Sequence, residues 1–142
     1  MEVTLEKSDY LLIKPGLYHV MLDSYRTVHM FKSCKLELTF TVISHGDAYG
    51  VRLPRFYNID RIIGRPQEGG RFSVSRNRDF PRELLTLFHH SSSRRDRYPM
   101  SLFNGVTIEA RVVTVSKARK KPIPEPLRYS KIAELIRVIE KN

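Results

Sequence analysis

The chain has 142 residues, of which 41% are hydrophobic and 28% charged. This composition is typical of one folded domain and excludes wholesale disorder. Twenty-five lysines and arginines against 15 carboxylates give a formal net charge of +10. No apolar run approaches the ~18 residues of a membrane span, and no secretion signal is visible. The single cysteine, Cys34, excludes an intramolecular disulfide and a zinc site with two cysteine ligands, so we expect a soluble, intracellular, basic domain.

Arginine is preferred to lysine in the middle of the chain. Every lysine or arginine position between Leu36 and Ser116 is occupied by arginine. A guanidinium grips phosphate with two parallel hydrogen bonds and stacks on flat rings, whereas lysine acts as a hydrated point charge. The preference favours recognition of a polyanion, and the alternative is a cationic surface without a partner.

Alternating apolar and polar residues predict strands in the first half of the chain. Residues 17–25 (LYHVMLDSY) and 35–44 (KLELTFTVIS) both have the period of two that half-buried strands show. In the second run the leucines face the core, while Glu37 and its polar neighbours face outward. After a turn, residues 49–58 continue as the partner strand of a hairpin. Pro54 lacks an amide donor and therefore predicts a sheet edge or a bulge in this strand.

Two more strands and a helix follow. Residues 106–116 alternate cleanly, and 71–75 form a shorter strand. Between them, Asp79 is a candidate N-cap, and Pro81 fits the first turn of a helix. The apolar face of this helix would consist of Leu84, Leu85 and Phe88.

The end of the chain predicts an arm and a second helix. Residues 117–127 (KARKKPIPEPL) are basic and then rich in proline, which is typical of an extended arm. Within residues 128–142, Ser130 would cap an amphipathic helix that docks on the domain or joins two copies in a homodimer. Its apolar residues recur at the helical spacing: Ile132, Leu135, Ile136 and Ile139.

These elements predict a mainly β fold over residues 1–116. Four or five strands with one helix inserted late suggest a small antiparallel barrel. The oligonucleotide-binding (OB) barrel, which has five strands and is partly open, fits this order. The basic arm and the C-terminal amphipathic helix would follow the barrel.

No catalytic constellation stands out. The five histidines lack metal-ligand spacing, and neither the phosphate-binding G-x-x-x-x-G-K-[ST] motif nor G-x-G-x-x-G is present. Three carboxylates, Asp60, Asp79 and Asp96, adjoin arginines and read as caps or ion-pair partners. We therefore predict no enzyme activity, no metal and no cofactor, with a nuclease centre built from these carboxylates as an alternative.

Arginines and aromatic residues alternate in several segments of the sequence. Proteins that bind single-stranded nucleic acid place cationic side chains along the phosphates and stack aromatic rings on the bases. Tyr57, Phe72 and Tyr98 are the candidates for stacking, with core packing as the alternative for each. The arginines at 94, 95 and 97 belong to a polar loop that would close over the strand. The basic arm would lie along phosphates or limit aggregation. The candidate nucleic-acid-binding residues are Arg52, Arg55, Tyr57, Arg71, Phe72, Arg76, Arg78, Arg94, Arg95, Arg97, Tyr98, Lys117, Arg119, Lys120 and Lys121.

Three motifs carry a resemblance to a known group of proteins. They are K-P-G-x-Y-x-V from Lys14, G-x-x-Y-G-V-R-L-x-R-F-Y-N from Gly46, and L-F-N-G-V-T-I-E-A-R-V from Leu102. Over residues 14–115 the chain resembles small OB-like single-stranded-DNA-binding proteins of phages and mobile genetic elements. The resemblance implies an OB-like barrel that coats or guides single-stranded DNA during replication or recombination, in the cytoplasm of a bacterium or a phage-infected cell. The arginine-dense loop and the lysine-rich arm depart from the pattern.

The sequence thus favours a non-enzymatic, sequence-tolerant binder of single-stranded nucleic acid, DNA rather than RNA. One alternative is an RNA or duplex-DNA binder on a similar barrel. Another is a structural or adaptor protein of a phage or secretion apparatus, whose basic face meets an acidic protein.

Overall fold

The computed structural model describes residues 12–118, 121–122 and 128–141. In chain order the elements are β1 (Gly16–Met30), β2 (Ser33–Val42), β3 (Arg52–Asn58), β4 (Arg61–Ile63), β5 (Arg71–Ser73), α1 (Asp79–Phe88), a 3-10 turn (Met100–Phe103), β6 (Val106–Val115), β7 (Lys117–Ala118), β8 (Lys121–Pro122) and β9 (Tyr129–Lys141). The predicted mainly β class is confirmed, and each strand predicted before residue 117 overlaps an observed one.

One antiparallel sheet organises the molecule. Its five strands lie in the order β3-β2-β1-β6-β9. The predicted β2–β3 hairpin is confirmed, and β3 lies at the sheet edge, as Pro54 indicated. The sheet curves until Cα atoms of the two edge strands come within 8 Å. No hydrogen-bonded ladder joins these edges in the described part of the chain, so the sheet is not a closed barrel.

A bulge in β1 changes which of its residues face the core. Val20 is fully buried, but Asp23 has no partner in the ladder with β2. The extra residue shifts the alternation by one position. As a result, Tyr25 stands opposite the core residue Leu38. The bulge therefore turns an aromatic ring inward at the far end of this long strand.

The centre of β2 is buried on both faces. Its apolar residues were predicted to face the core, and Leu36, Leu38 and Phe40 are completely buried. Glu37 was predicted to face outward, yet only 1% of it is exposed, and it accepts a hydrogen bond of 2.7 Å from Arg26 Nε. The prediction that Glu37 faces solvent is wrong. The alternation along a strand shows which residues share a face, but it does not show whether another part of the chain covers that face.

Helix α1 packs against both edge strands of the sheet. Its buried residues are Phe80, Leu84 and Leu87. Leu85 was expected on this face, but it is 53% exposed. The N-cap is Arg78 rather than Asp79, which lies in the first turn, where a negative charge is favourable. No helix in the described residues is long and apolar enough to cross a membrane.

The C-terminal segment is a strand, and the predicted helix over 128–142 is wrong. β9 pairs with β6, but three of its residues have no partner in the ladder: Ala133, Ile136 and Ile139. Each extra residue lengthens the spacing between core-facing positions from two to three. The core-facing residues are therefore Ile132, Leu135 and Val138. A spacing of three lies close to the helical repeat of 3.6, which is why the pattern imitated a helix.

The basic arm also differs from the expectation. Lys117–Ala118 pairs antiparallel with Lys121–Pro122, so the backbone folds back as a short hairpin instead of extending. Arg119 and Lys120 lie outside the described residues, as does the proline-rich part over 123–127.

The bulged strand makes a prediction that a helix does not. A helix would place Ile132 and Ile136 on the same buried face, whereas the structure buries Ile132 completely and leaves Ile136 partly exposed outside the ladder. We expect Ile132→Ala to lower the free energy of unfolding by about 3–4 kcal/mol and Ile136→Ala by about 1 kcal/mol or less, because only the first leaves a core cavity. Urea denaturation measures both, and equal losses would contradict the strand register.

Candidate functional site

The connection between β3 and β6 holds most of the predicted site. Residues 59–105 contain nine arginines, no lysine and five carboxylates. The connection includes the β4–β5 hairpin, α1 and the loop that returns to β6. Nine of the 16 arginines of the chain therefore lie on this one connection.

The loop over 91–98 is fastened to the segment that follows β5. Val74 N donates to the Arg95 carbonyl oxygen at 2.9 Å, and Arg76 Nη2 donates to the Ser93 carbonyl oxygen at 3.2 Å. Tyr98 Oη in turn donates to the Val74 carbonyl oxygen at 2.8 Å. These bonds hold the predicted arginine loop beside Arg71 and Arg76, which are distant from it in sequence.

The three predicted stacking residues have different environments. Tyr57 and Phe72 are 1% and 6% exposed, so the prediction that they stack bases at the surface is wrong. Phe80 of α1 packs edge-on against both rings, at centroid distances of 5.0 and 5.8 Å. Tyr98 is half-buried and lies parallel to Phe72, 6.0 Å away. Of the three, Tyr98 is the most exposed.

Arg55 is a core residue, which corrects its predicted role along phosphates. It lies opposite Leu38 on the inner face of β3, and 7% of it is exposed. Its guanidinium carbon lies 4.2 Å from the centroid of the Tyr57 ring, and its Nη2 donates to the Glu83 carboxylate. Burial opposes the positive charge, but Tyr57 and Glu83 favour it more strongly and raise the pKa of Arg55.

Glu83 joins α1 to both edges of the sheet. Its Oε1 accepts hydrogen bonds from Tyr57 Oη at 2.6 Å and from the Leu135 amide of β9 at 3.4 Å. Burial and the Glu83 charge raise the pKa of Tyr57 well above its ordinary value, so its hydroxyl remains a donor. We refer to Arg55, Tyr57, Glu83 and the Leu135 amide as the Glu83 cluster.

Three further predicted arginines form ion pairs. Arg52 contacts Asp23 at the β1 bulge at 3.2 Å. Arg78 Nε lies 3.0 Å from Asp60, and Arg94 binds Asp96 through two nitrogens at 2.9 and 2.8 Å.

Two of these three aspartates, Asp60 and Asp96, have their pKa values lowered by hydrogen-bond donors. Hydrogen bonds from Ser75 and Arg78 lower the pKa of Asp60, and hydrogen bonding from Arg94 lowers that of Asp96. Within the described residues, no three His, Cys, Asp or Glu side chains converge in a way that could hold a metal ion.

Four predicted arginines are exposed with no described carboxylate within 4.0 Å: Arg71, Arg76, Arg95 and Arg97. We call these four residues the arginine surface. The hydrogen bonds between the loop and the segment after β5 bring them together. None of the four forms a direct ion pair with a carboxylate in the part of the chain that the structure describes.

A cleft of about 440 Å³ opens beside this surface. Its aromatic lining consists of Tyr25, Phe72 and Tyr98, and its positive charge comes from Arg71 and Arg97. The rest of the lining includes His90, Ser92, Asp96, Pro99 and Met100. On the other side of the loop, a smaller cleft of about 130 Å³ is lined by residues that include Arg76 and Arg82.

The cleft is built on a close contact between the β4–β5 connection and β1. Gly69 N donates to the Tyr25 carbonyl oxygen at 3.0 Å, and Thr27 N donates to the Gln67 carbonyl oxygen at 3.0 Å. A Cβ at Gly70 would meet the Thr27 hydroxyl and would lie 2.9 Å from the Gln67 carbonyl oxygen. Glycine is therefore required where the turn packs against the strand.

Sequence reasoning missed three important residues. Glu83 was overlooked, although it lies one turn beyond Phe80 on the helix and could have been recognised as a charge beside an apolar face. Tyr25 was assigned to a regular strand, and the Asp23 bulge that redirects it leaves no clear signal in sequence. His90 was set aside because it lacks metal spacing.

No protein-family model matches the sequence, and no curated protein or solved structure is significantly similar to it.

The Glu83 cluster predicts a stability defect. Glu83→Gln removes the charge that compensates buried Arg55, and we expect it to lower the free energy of unfolding by about 3 kcal/mol. The matched control is Glu134→Gln, because Glu134 pairs with Arg111 while both side chains are about half exposed, and it should cost less than about 1 kcal/mol. Urea denaturation compares them, and similar losses would show that the cluster does not stabilise the fold.

Proposed function

We propose that this protein is a non-enzymatic, largely sequence-independent binder of single-stranded nucleic acid, DNA rather than RNA. The observation that carries the proposal is the arginine surface beside a cleft with tyrosine walls. Arg71, Arg76, Arg95 and Arg97 would contact phosphates, and Tyr98 would contact bases. Replication or recombination of a phage or mobile element is the setting that the sequence resemblance suggests.

Phosphate is the anion that fits this surface. A guanidinium group binds phosphate oxygens through two parallel hydrogen bonds. Four such groups can each bind a different phosphate of one strand, whereas a single small anion could not occupy all four. Three other predicted arginines, Arg52, Arg78 and Arg94, already form ion pairs with carboxylates and contribute little to phosphate binding. The proposed interface is therefore smaller than the sequence suggested.

A single strand fits better than a duplex. Bases in a duplex are stacked on one another, so their faces are hidden from a recessed tyrosine. Tyr25 and Tyr98 line a concave cleft, which an unpaired base can enter. Stacking on aromatic rings is tolerant of sequence because every base has a flat face.

We further propose that the sheet is an OB-like, partly open barrel. The approach of β3 and β9 and the position of α1 against both edges support this arrangement. OB barrels have five strands, remain partly open and bind oligonucleotides through loops and one face. In this chain the arginine surface lies on the connection between β3 and β6.

The salt dependence of binding tests the electrostatic part of the proposal. Four phosphate contacts at about −0.7 each predict a slope near −3 for log K against log salt, or roughly 50-fold weaker binding when salt rises fourfold. Fluorescence anisotropy with a labelled single strand of about 30 nucleotides and its duplex, with EDTA present, measures this directly. No binding at low salt would refute the proposal, and an acidic protein would then be the better partner. Equal affinity for the duplex would refute the preference for a single strand.

Single substitutions test the arginine surface itself. Arg71→Ala, Arg95→Ala and Arg97→Ala should each reduce the magnitude of the salt slope by about 0.7, because each removes one phosphate contact. Lys14→Ala is the control, since it removes one exposed charge at the opposite end of β1, about 30 Å along the strand from Tyr25. Anisotropy titrations at several salt concentrations give the slopes. An equal change for Lys14→Ala would mean that only net charge matters.

A further inference from the structure

We propose that the cleft between Tyr25 and Tyr98 binds one unstacked nucleotide of the bound strand, with its base between the cleft walls and its phosphate at Arg71 and Arg97. This inference rests on the proposed function, since the strand is what presents the nucleotide. It adds a defined pocket to a surface that could otherwise act through charge alone.

The dimensions and lining of the cleft suit a nucleotide. Its volume of about 440 Å³ lies within the roughly 300–1,000 Å³ of small-molecule sites. Tyr25, Tyr98, Pro99 and Met100 supply flat or apolar contacts, and the polar groups are few. Such a mixture suits a flat heterocycle joined to a charged group.

The charges on the cleft leave room for a phosphate. Arg71 and Arg97 line it, are exposed and have no described carboxylate within 4.0 Å. Asp96 also lines the cleft, but Arg94 holds both of its oxygens, so its negative charge is compensated. The net charge that a ligand meets is therefore positive.

An unsatisfied buried atom lies in the same wall. His90 lies between this cleft and the smaller one and lines both, and its Nε2 is shielded from solvent without a hydrogen-bond partner among the described residues. Buried polar atoms are nearly always paired, so an unpaired one needs an explanation. A base edge or phosphate oxygen entering the cleft, with a small rotation of the ring, would provide the missing partner.

The cleft is held in shape before any ligand arrives. The Tyr98 hydroxyl is held by the Val74 carbonyl oxygen, and the bond from Gly69 N to the Tyr25 carbonyl oxygen holds the loop against the strand that carries Tyr25. Phe80 supports Tyr98 from the helix side at a centroid distance of 5.5 Å. A preformed site loses less conformational entropy on binding.

The first experiment titrates thymidine 5′-monophosphate into the full chain and follows the backbone amides by NMR. Gly69 and Gly70 line the cleft, whereas Gly46 and Gly50 lie in the distant β2–β3 connection and serve as internal controls. We expect saturable shifts at the first pair, and their loss in the double variant Arg71→Ala/Arg97→Ala. No shift at Gly69 and Gly70 at millimolar nucleotide would overturn the pocket.

The second experiment separates bases from phosphates. Anisotropy compares an oligothymidylate of about 12 nucleotides with an abasic strand of the same length, which keeps every phosphate. Wild type should bind the oligothymidylate about 5- to 100-fold more tightly, as expected for base–aromatic stacking. Tyr25→Leu keeps an apolar side chain but removes the flat ring, so it should remove most of this preference while leaving affinity for the abasic strand unchanged. His90→Leu should reduce the preference by about 2- to 10-fold.

The outcomes distinguish the pocket from the proposed function. If both strands bind wild type equally, or if Tyr25→Leu keeps the full preference, the pocket is refuted while strand binding through the arginine surface stands. If neither strand binds, strand binding is refuted, and the thymidine monophosphate titration still decides whether the cleft takes a nucleotide. Thermal melting of each variant confirms that a lost preference does not come from unfolding.

Discussion

The carboxylate of Glu83 is the contact on which the rest of the structure depends. It lies where the two edges of a curved sheet approach one another, and it receives donors from β3 through Arg55 and Tyr57 and from β9 through the Leu135 amide. Edge strands leave backbone groups without partners, and a helix laid against them is one way to cover these groups. A buried carboxylate is costly without partners, and here three donors compensate it.

The position of α1 then determines the shape of the site. Phe80, three residues before Glu83, packs edge-on against Tyr57, Phe72 and Tyr98. Because Tyr98 is one wall of the cleft, the ring contacts connect the core of the sheet to the surface that would meet a ligand. The Glu83 cluster and the cleft are therefore neighbours in one packed unit, although their residues come from distant parts of the chain.

The arginines show why composition indicates a partner but not an interface. Fork-shaped donors suit buried carboxylates and phosphates equally well, so the same residue type serves both purposes. In this chain Arg55 stabilises the core, Arg78 and Arg94 pair with nearby aspartates, and Arg71 and Arg97 line the cleft. The groups that surround each of these guanidinium groups in the fold determine whether it forms a buried ion pair, forms a surface ion pair or lines the cleft.

The sequence by itself determined the mainly β class, the β2–β3 hairpin and the edge position of β3, because alternation and proline act over a few residues. It also determined that more than half of the arginines lie between residues 59 and 105. Only the tertiary structure decided that β9 is a strand, since three unpaired residues stretch its period towards that of a helix. The same holds for Tyr25, which a bulge redirects, and for Arg55 and Tyr57, whose burial follows from a helix far along the chain. Local sequence patterns predict which face of a strand or helix a side chain occupies. Packing between distant parts of the chain determines which element covers that face.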